Sequence, residues 1–344
     1  MLLKKECTVH VGGSDEVINL MKGEFGQEVA YTRFDGMKMR YGKRTFFNLL
    51  LQTPKFIITS IFEHYKLKEI IRSTGANVVI SDNRYGLWSK KAFTVFITHQ
   101  LNIKLPSKFS FLQKPLRFVI KKIIRKHNAL WIPDFRGDKN FAGELSGSGE
   151  GFHPQTFYTG LLTRFSGRGF DDLKKSRGEK GERYVLCIVS GPEPQRSFFE
   201  EKLISQLQNI PYDSVLLRGA PGSEITIKGG KCVIYNHTDS RHFAGLVSAA
   251  ELIICRPGYS TLMDLSVFGS KALLVPTPGQ PEQEYLAELF KERKWCYSVN
   301  QKEFDLKKDI EKSFTYEGIP GFFANEKELK DTVDYLLKAI GFEN

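Results

Sequence analysis

Short apolar runs alternate with segments of helical periodicity along most of the chain. The first half contains four runs with strand character: CTVHV (7–11), VVISD (78–82), TVFITH (94–99) and ALWIPD (129–134). The second half contains five: YVLCIVSG (184–191), DSVLLRG (213–219), KCVIYN (231–236), ELIICR (251–256) and KALLVP (271–276). This alternation is typical of α/β proteins with parallel sheets. The longest helical segment, 47–75, is expected to be interrupted at Pro54.

The chain is long enough for two such sheets, each in its own domain. At 344 residues it exceeds the size of one ordinary hydrophobic core. A polar, glycine-rich stretch, SGRGFDDLKKSRGEKGER (166–183), separates the two groups of strands. We therefore predict an N-terminal domain over 1–160, a linker over 161–183 and a C-terminal domain over 184–344. Both domains are expected to be doubly wound parallel sheets.

The most informative group of residues lies at 255–290. CRPGYSTLMDLSVFGSKALLVPTPGQPEQEYLAELF predicts a strand end, a glycine turn, a helix ending at Gly269, a second strand, and a loop leading into another helix. Both loops open at carboxyl ends of adjacent strands and precede helix N-termini, which favour phosphate. Ser260 and Thr261 supply first-turn hydroxyls, and Asp264 is expected to bind a ribose diol. The alternative is an N-cap serine followed by a solvated acid.

Charge distinguishes the two halves. The net charge is +11, but residues 1–150 hold 25 Lys and Arg against 13 Asp and Glu, which gives this half +12. The basic half should meet an anionic partner, such as a membrane surface, a phosphorylated acceptor or a nucleic acid. The alternative is a solvated basic surface. No nucleic-acid motif accompanies the charges, so we expect no nucleic-acid partner.

A basic, amphipathic segment, FSFLQKPLRFVIKKIIRKHNALW (109–131), is the best candidate for a membrane contact. Lys121, Lys122 and Arg125 alternate with apolar residues at helical spacing, as in interfacial helices on anionic lipid. A helix packed on a sheet with a basic outer face fits equally well. No apolar run is long enough to span a membrane, and the start lacks the apolar stretch of a signal peptide. The five scattered cysteines favour reduced thiols in a cytoplasm, without a zinc site.

The stretch CRPGYSTLMDL…ALLVPTPGQPEQEYLA resembles the C-terminal half of the family 28 glycosyltransferases. Asp264 stands where that family has Glu, and Gln283-Glu284 stands where it has Gln-Gln. Two further segments resemble the family's interdomain segment and its first donor-domain loop, YTGLLTRF (158–165) and VSGPEPQR (189–196). The resemblance covers about residues 75–300. It implies a GT-B fold, in which two Rossmann-like domains enclose the active site in a cleft, and a nucleotide diphospho-sugar donor, usually of UDP.

The resemblance and the loop positions together predict the donor site. The chain has no Asp-x-Asp pair for a metal, so backbone N–H groups, helix dipoles and arginines are expected to stabilise the leaving diphosphate. We expect no cofactor. The predicted donor-binding residues are Arg164, Ser190, Gly191, Ser240, Arg256, Gly258, Ser260, Thr261, Asp264, Gln283 and Glu284. For Gln283 and Glu284 the alternative is a plain helix start.

Two loops of the first half are expected to face the acceptor. SDNRYG (81–86) and THQLN (98–102) follow predicted strands and resemble acceptor-side segments of the family. Asp82 and His99 are the candidate bases, because each ends a strand and either could take a proton from a hydroxyl. Asn83, Arg84 and Gln100 are the other predicted acceptor-side residues.

The start of the chain departs from the family pattern. The family begins with a strand, a glycine-rich loop ending in His, and a helix, whereas this sequence begins MLLKKECTVHVGG. We therefore expect that codons upstream of Met1 encode about 15–25 further residues, made of a strand, a short turn and the beginning of a helix. The last helix of the chain is expected to pack back on the N-terminal domain.

The leading hypothesis is an inverting, metal-independent glycosyltransferase. It would transfer a hexose or N-acetylhexosamine from a UDP-sugar to an unidentified, lipid-linked or glycan acceptor. The expected location is cytoplasmic, with peripheral association on the inner face of the plasma membrane. The alternatives are an enzyme similar to UDP-N-acetylglucosamine 2-epimerase and a non-catalytic protein that binds nucleotide sugars.

Overall fold

The computed structural model describes residues 7–34, 45–105, 107–137, 140–147, 149–165, 184–219, 226–229, 231–321 and 326–341. The strands in this part of the chain are β1 (His10–Gly13), β2 (Ala30–Arg33), β3 (Val78–Asp82), β4 (Phe93–Ile97), β5 (Ala129–Ile132), β6 (Thr156–Tyr158), β7 (Tyr184–Ile188), β8 (Asp213–Leu217), β9 (Thr226–Gly229), β10 (Cys232–Tyr235), β11 (Leu252–Cys255), β12 (Ala272–Leu274) and β13 (Tyr297–Ser298). The α-helices are α1 (Asp15–Phe25), α2 (Thr45–Thr74), α3 (Gln113–Ile124), α4 (Gln195–Leu207), α5 (Ser240–Ala249), α6 (Tyr259–Phe268), α7 (Pro281–Glu292), α8 (Leu306–Phe314) and α9 (Glu326–Ala339).

These strands form three sheets in the described part of the chain. The first half gives a four-stranded parallel sheet in the order β3-β4-β5-β6 and a two-stranded parallel sheet of β1 and β2. The second half gives a seven-stranded sheet in the order β13-β12-β11-β7-β8-β10-β9, in which β9 alone is antiparallel. The predicted α/β class with parallel sheets is confirmed.

The seven-stranded sheet is covered on both faces. Alternate residues of its central strands point to opposite sides, as the pleat of a β-strand requires. Leu186 and Ile253 belong to a core with residues of α5, α6 and α7. Val185 and Leu252 belong to a second core with residues of α4 and α8. Burial on both faces explains why these strands are continuous apolar runs rather than alternating ones.

The four-stranded sheet is covered by α3 on one face and by α9 on the other. Ile120 and Ile124 of α3 pack with Phe96 and Leu130. From the far end of the sequence, Val333, Leu336 and Leu337 of α9 pack with Val95, Ala129 and Trp131. The last described helix therefore lies on the sheet of the first half.

Some expectations need correction. Helix α2 continues through Pro54 from Thr45 to Thr74 instead of being interrupted there. Its later turns bury Leu67 and Ile71, and such tertiary packing overrides the local cost of one missing hydrogen bond. Strand β1 begins at His10 rather than at residue 7, and the short strands β2, β6, β9 and β13 lack a recognisable apolar run. The predicted linker lies outside the described residues from 166 to 183.

Candidate functional site

Two loops that carry predicted donor residues lie beside the loop after β12 at one edge of the seven-stranded sheet. Ser190 and Gly191 follow β7, Gly258 follows β11, and Thr277 follows β12. Strands β7, β11 and β12 are consecutive in the sheet and parallel, so their carboxyl ends meet at the same edge. This edge is where open α/β sheets bind ligands.

The beginning of α6 is open at this edge. Gly258 is the N-cap residue, and no side chain caps the first turn. A Cβ added at Gly258 would meet only Oγ1 of Thr261, at 3.8 Å, and Ser260 is exposed. The first-turn N–H groups thus have no side-chain acceptor, and the positive end of the helix dipole favours an anion there. The contact of Gly258, Ser260 and Thr261 with a diphosphate stays a prediction.

The loops after β7 and β12 approach each other closely. Gly191 has a φ of 107°, which favours glycine, and a Cβ there would lie 4.0 Å from Oγ1 of Thr277. This Thr277 oxygen is buried and has no hydrogen-bond partner among the described residues. An unpaired buried hydroxyl costs about 1–3 kcal/mol, so Thr277 is a candidate contact for a bound ligand. Ser190, which is half-buried, directly precedes Gly191 in the loop after β7.

A buried ionic network at the same edge was missed in the sequence. Glu200 is buried and accepts hydrogen bonds from Arg196, at 2.9 Å, and from Arg218. Arg218 also donates to Asn236 Oδ1 at 3.1 Å. Arg196 also pairs with Glu193 at 2.7 Å, so the two guanidinium groups are balanced by two carboxylates. The signal was present, because Arg218 and Asn236 directly follow β8 and β10.

Asp264 requires a correction. The carboxylate is 4% exposed and accepts hydrogen bonds from Thr163 Oγ1 at 2.7 Å and from Arg164 Nε at 2.8 Å. Burial raises the pKa of Asp264, and Arg164 opposes that shift. The predicted ribose contact is therefore wrong in this conformation, because the carboxylate is enclosed by protein donors. Asp264 instead pairs with Arg164, whose side chain is 46% exposed. The contact of Arg164 with a diphosphate stays a prediction.

Arg256 also requires a correction. Its side chain is fully buried, with the guanidinium 4.1 Å from the centre of the Phe199 ring. It donates to the carbonyl oxygens of Val275 at 2.9 Å, Pro276 at 3.0 Å and Gln195 at 3.1 Å. Burial lowers the pKa of Arg256 to about 10. Through these hydrogen bonds, Arg256 joins the loop after β12 and the beginning of α4 to the end of β11. The predicted contact of Arg256 with the donor is therefore wrong.

Gln283 and Glu284 stabilise the loop after β12. Oε1 of Gln283, which is buried, accepts a hydrogen bond from Thr277 N at 2.8 Å. Oε1 of Glu284, which is exposed, accepts one from Gly279 N at 2.8 Å. Both side chains shape the loop that borders the site, and their contact with a sugar stays a prediction.

Ser240 is hydrogen-bonded to a carboxylate from the first half of the chain. Its Oγ donates to Oε1 of Glu24 in α1, and its N–H donates to the same oxygen at 3.2 Å. Ser240 is also buried. The predicted donor contact of Ser240 is therefore incompatible with this arrangement, in which Glu24 fills the beginning of α5.

On the acceptor side, His99 follows β4, and Asp82 is the last residue of β3, as predicted. His99 Nε2 lies 2.9 Å from Oε1 of Glu282 in α7, and its ring stacks on Tyr259 with centroids 3.9 Å apart. Asp82 is exposed, but the protein around its carboxylate raises its pKa, and nearby His99 opposes that shift. Sequence reasoning named Gln283 and Glu284 but missed Glu282, which lies in the same PEQE helix start.

The other predicted acceptor-side residues have different surroundings. Asn83 has a left-handed φ of 52° and is exposed, with Oδ1 accepting from Thr98 Oγ1 at 3.3 Å. Gln100 is half-buried, and its N–H donates to the same Thr98 hydroxyl at 3.0 Å. Arg84 instead pairs with Glu63 of α2 at 2.8 Å. Arg84 therefore ties α2 to the loop after β3, which corrects its predicted acceptor role.

The basic segment forms α3, which packs on the sheet through its buried isoleucines. Phe118 and Val119 nevertheless stay exposed, and Lys122 Nζ lies 5.5 Å from the centre of the Phe118 ring. Lys121 is half-buried, and Arg125 donates from Nε to the Phe152 carbonyl at 3.1 Å. Both readings of the segment thus have a basis, because the helix is packed and its outer face is basic and apolar.

The described residues also bear on metal and membrane contacts. Within them, no group of three or more His, Cys, Asp and Glu side chains could hold a metal ion. None of the helices in that part combines the length and apolar character needed to cross a membrane.

Comparison with known sequences connects this geometry to a family. Residues 226–317 match the glycosyltransferase family 28 C-terminal domain. The UDP-N-acetylglucosamine--N-acetylmuramyl-(pentapeptide) pyrophosphoryl-undecaprenol N-acetylglucosamine transferase of Rickettsia bellii is 25% identical over 199 residues. That match covers 54% of this chain and 53% of the relative, so the chain spans about half the relative's length.

Solved structures of two glycosyltransferases share the fold over nearly the whole chain. The kitacinnamycin glycosyltransferase has a TM-score of 0.60 at 10% identity, covering 98% of this chain and 92% of its own. MurG of Acinetobacter baumannii has a TM-score of 0.53 at 12% identity, covering 98% and 93%. The fold and the family resemblance predicted from the sequence are confirmed: the chain has the GT-B fold, and residues 226–317 match the glycosyltransferase family 28 C-terminal domain.

Proposed function

We propose that this protein is an inverting, metal-independent glycosyltransferase that transfers a hexose or N-acetylhexosamine from a UDP-sugar to a hydroxyl acceptor. The observation that carries the proposal is the uncapped N-terminus of α6 beside His99. His99 belongs to the first half of the chain, yet its ring stacks on Tyr259, the first residue of α6. A candidate base and a candidate diphosphate site therefore adjoin. The Rickettsia relative, which is named as a UDP-N-acetylglucosamine-dependent transferase, supports the choice of donor.

The donor residues have distinct roles in this proposal. The N–H groups and hydroxyls at the beginning of α6 bind the diphosphate, and Arg164 adds positive charge from the side. Thr277 and the Ser190–Gly191 turn line the neighbouring part of the site. As the bond from the anomeric carbon to the diphosphate breaks, these donors stabilise the charge that develops on the leaving oxygen.

The acceptor residues deprotonate and orient the attacking hydroxyl. Either His99 or Asp82 takes its proton while the oxygen bonds to the anomeric carbon, opposite the departing diphosphate. A raised pKa makes the Asp82 carboxylate a stronger base than an ordinary aspartate. A single displacement of this kind inverts the anomeric configuration.

We further propose that the acceptor is lipid-linked and that the first half contacts a membrane surface from the cytoplasmic side. Helix α2 carries a row of apolar side chains, each more than half exposed, on one face: Ile57, Ile58, Ile61, Phe62 and Tyr65. Phe118 and Val119 of α3 are exposed in the same half, which carries the excess of Lys and Arg. Exposed apolar residues combined with positive charge are typical of binding to anionic lipid.

The test of the transferase is acceptor-dependent release of UDP. The protein is incubated in EDTA with UDP-hexoses or UDP-N-acetylhexosamines, with and without an extract of membrane lipids. We expect release of UDP and a glycosylated lipid in the presence of the extract. Conversion of a UDP-sugar without any acceptor would favour a 2-epimerase, and UDP binding without turnover would favour a non-catalytic binding protein.

A further inference from the structure

The contact between His99 and Glu282 joins the two halves of the chain at the candidate site. Oε1 of Glu282 lies 2.9 Å from Nε2 of His99, and the side chains are only 23% and 17% exposed. The flat face of the imidazole lies on Tyr259, with an angle of 13° between the rings. Tyr259 is itself buried and donates its hydroxyl hydrogen to the Pro133 carbonyl at 2.7 Å. The imidazole is thus fixed at one edge and along one face.

This arrangement determines which imidazole nitrogen can act as a base. An ionised carboxylate has no hydrogen to donate, so the Nε2–Oε1 contact requires a hydrogen on Nε2. A neutral imidazole carries one N–H, and Nδ1 then holds the lone pair. Within the described part of the chain, the side-chain hydrogen bond of His99 is the one at Nε2, and Nδ1 has no partner.

We propose that Glu282 is a positioning residue, which holds His99 as the Nε2–H tautomer and makes Nδ1 the atom that accepts the acceptor's proton. This inference rests on the proposed transferase function. In the reaction, the acceptor O–H proton passes to Nδ1 as the oxygen forms its bond to the anomeric carbon. The bond from that carbon to the diphosphate breaks, and its electron pair leaves with UDP. The resulting imidazolium is stabilised by the Glu282 carboxylate.

The groups around His99 come from three elements and support this role. Asp82 at the end of β3 interacts electrostatically with His99. Glu282 from α7 contacts its Nε2 edge, and Tyr259 from α6 covers one face. Burial, with smaller contributions from Asp134 and Glu282, raises the pKa of Tyr259, so its hydroxyl stays neutral. The two carboxylates Asp82 and Glu282 therefore both favour a positive imidazole once the proton has moved.

The tautomer can be measured without any substrate. Long-range proton–nitrogen NMR spectra of the full chain distinguish Nδ1–H from Nε2–H, and His99→Gln identifies the His99 signals. We expect the Nε2–H tautomer at neutral pH, and a shift towards Nδ1–H in Glu282→Gln, because the amide can donate to Nε2. A wild-type Nδ1–H tautomer, or an unchanged tautomer in Glu282→Gln, would overturn the proposal.

Kinetics test the consequence for catalysis. Glu282→Gln should lower kcat about a hundredfold with UDP affinity unchanged, as expected for loss of general base catalysis, and Glu282→Asp should restore part of it. Glu288→Gln, on an exposed position of the same helix, is the matched control and should keep full activity. In a His99→Ala background, Glu282→Gln should cause no further loss. A full additional loss there would show that Glu282 does not act through His99.

The NMR and kinetic experiments together distinguish failure of this inference from failure of the proposed transferase function. Absence of any glycosyl transfer by the wild-type chain would contradict the transferase function, whereas the NMR spectrum alone decides the tautomer. Active protein with the Nδ1–H tautomer would keep the transferase and reject Glu282 as its positioning residue.

Discussion

Burial distinguishes two arginines that the sequence predicts to bind the donor. Arg164 keeps almost half of its side chain exposed, whereas Arg256 is fully enclosed. The sequence places Arg164 in the predicted linker and Arg256 at the end of a donor-half strand, and it gives no means to tell which of them is buried. The distinction depends on Phe199 and Gln195, which approach Arg256 from a different element.

Replacing the buried arginine should cost stability. Arg256→Met leaves the carbonyl oxygens of Val275, Pro276 and Gln195 without their donor, so we expect the free energy of unfolding to fall by roughly 1–3 kcal/mol. Urea denaturation followed by circular dichroism measures this, with exposed Arg241→Met as the control. A variant that has wild-type stability but no longer binds UDP would show that Arg256 belongs to the donor site.

His127 should make the protein sensitive to acid. It is buried against Phe96, and burial lowers its pKa to about 4 from 6.5. Between these values the unfolded chain binds a proton that the folded protein does not, so stability is full above pH 6.5 and falls as the pH decreases. The loss should reach about 3 kcal/mol near pH 4.

The control for this effect is His127→Gln, which cannot titrate. Its stability relative to wild type should improve steadily as the pH falls from 6.5 to 4, measured by urea denaturation at several pH values. A constant difference across that range would show that His127 does not carry the acid sensitivity.

Strand ends were the residue-level feature that the sequence predicted best. His99, Gly258 and Ser260 follow apolar runs whose ends are clear, and each lies at a carboxyl end of a sheet. Side-chain partners were not predictable, because they come from distant segments. Asp264 accepts a hydrogen bond from Thr163, about a hundred residues earlier in the chain, and Ser240 donates one to Glu24 in α1.

At the scale of elements, buried parallel strands were predictable because both faces of each strand are apolar. The exceptions were elements whose stability depends on their neighbours. Strand β2 has four residues, of which none is fully buried, and it pairs with β1. Helix α2 continues through Pro54 because its later turns pack against the rest of the first half.

Helix α9 should stabilise the four-stranded sheet from the far end of the chain. Leu336 is buried against the core that includes Val95 and Trp131, so Leu336→Ala should lower the free energy of unfolding by about 2–5 kcal/mol. Asp334→Ala, two residues before Leu336 and exposed, should change it by less than about 0.5 kcal/mol. Equal stability of the two variants would show that α9 does not support the sheet.

At the scale of the whole molecule, the excess of positive charge in residues 1–150 should recruit the protein to anionic vesicles. Charge reversal at Lys121, Lys122 and Arg125 should reduce recruitment, since attraction between exposed charges and lipid depends on charge and weakens with salt. The same reversal at Lys302, Lys307 and Lys308, exposed in the other half, is the control. Cosedimentation with neutral and anionic liposomes measures it, and equal binding to both would contradict the electrostatic account.

For the domain arrangement, the sequence predicts only an outline. The composition of 166–183 marks the division between the two sheets, and the resemblance to a family supplies the GT-B fold. The contacts across the division depend on how the halves meet. Two such contacts are those of His99 with Glu282 and of Glu24 with Ser240. The local sequence pattern does not predict either of them.

The most direct test of the central claim is titration of UDP into the protein in EDTA, followed by isothermal calorimetry. A Cβ at Gly258 meets only Thr261 Oγ1 at 3.8 Å and the backbone φ is −74°, so Gly258→Val should fold. Its side chain would nevertheless obstruct the beginning of α6. We predict one UDP bound per wild-type chain, undiminished binding by His99→Ala, and at least about tenfold weaker binding by Gly258→Val, equal to about 1.4 kcal/mol. Equal UDP affinity of wild type and folded Gly258→Val would contradict a donor site at the beginning of α6.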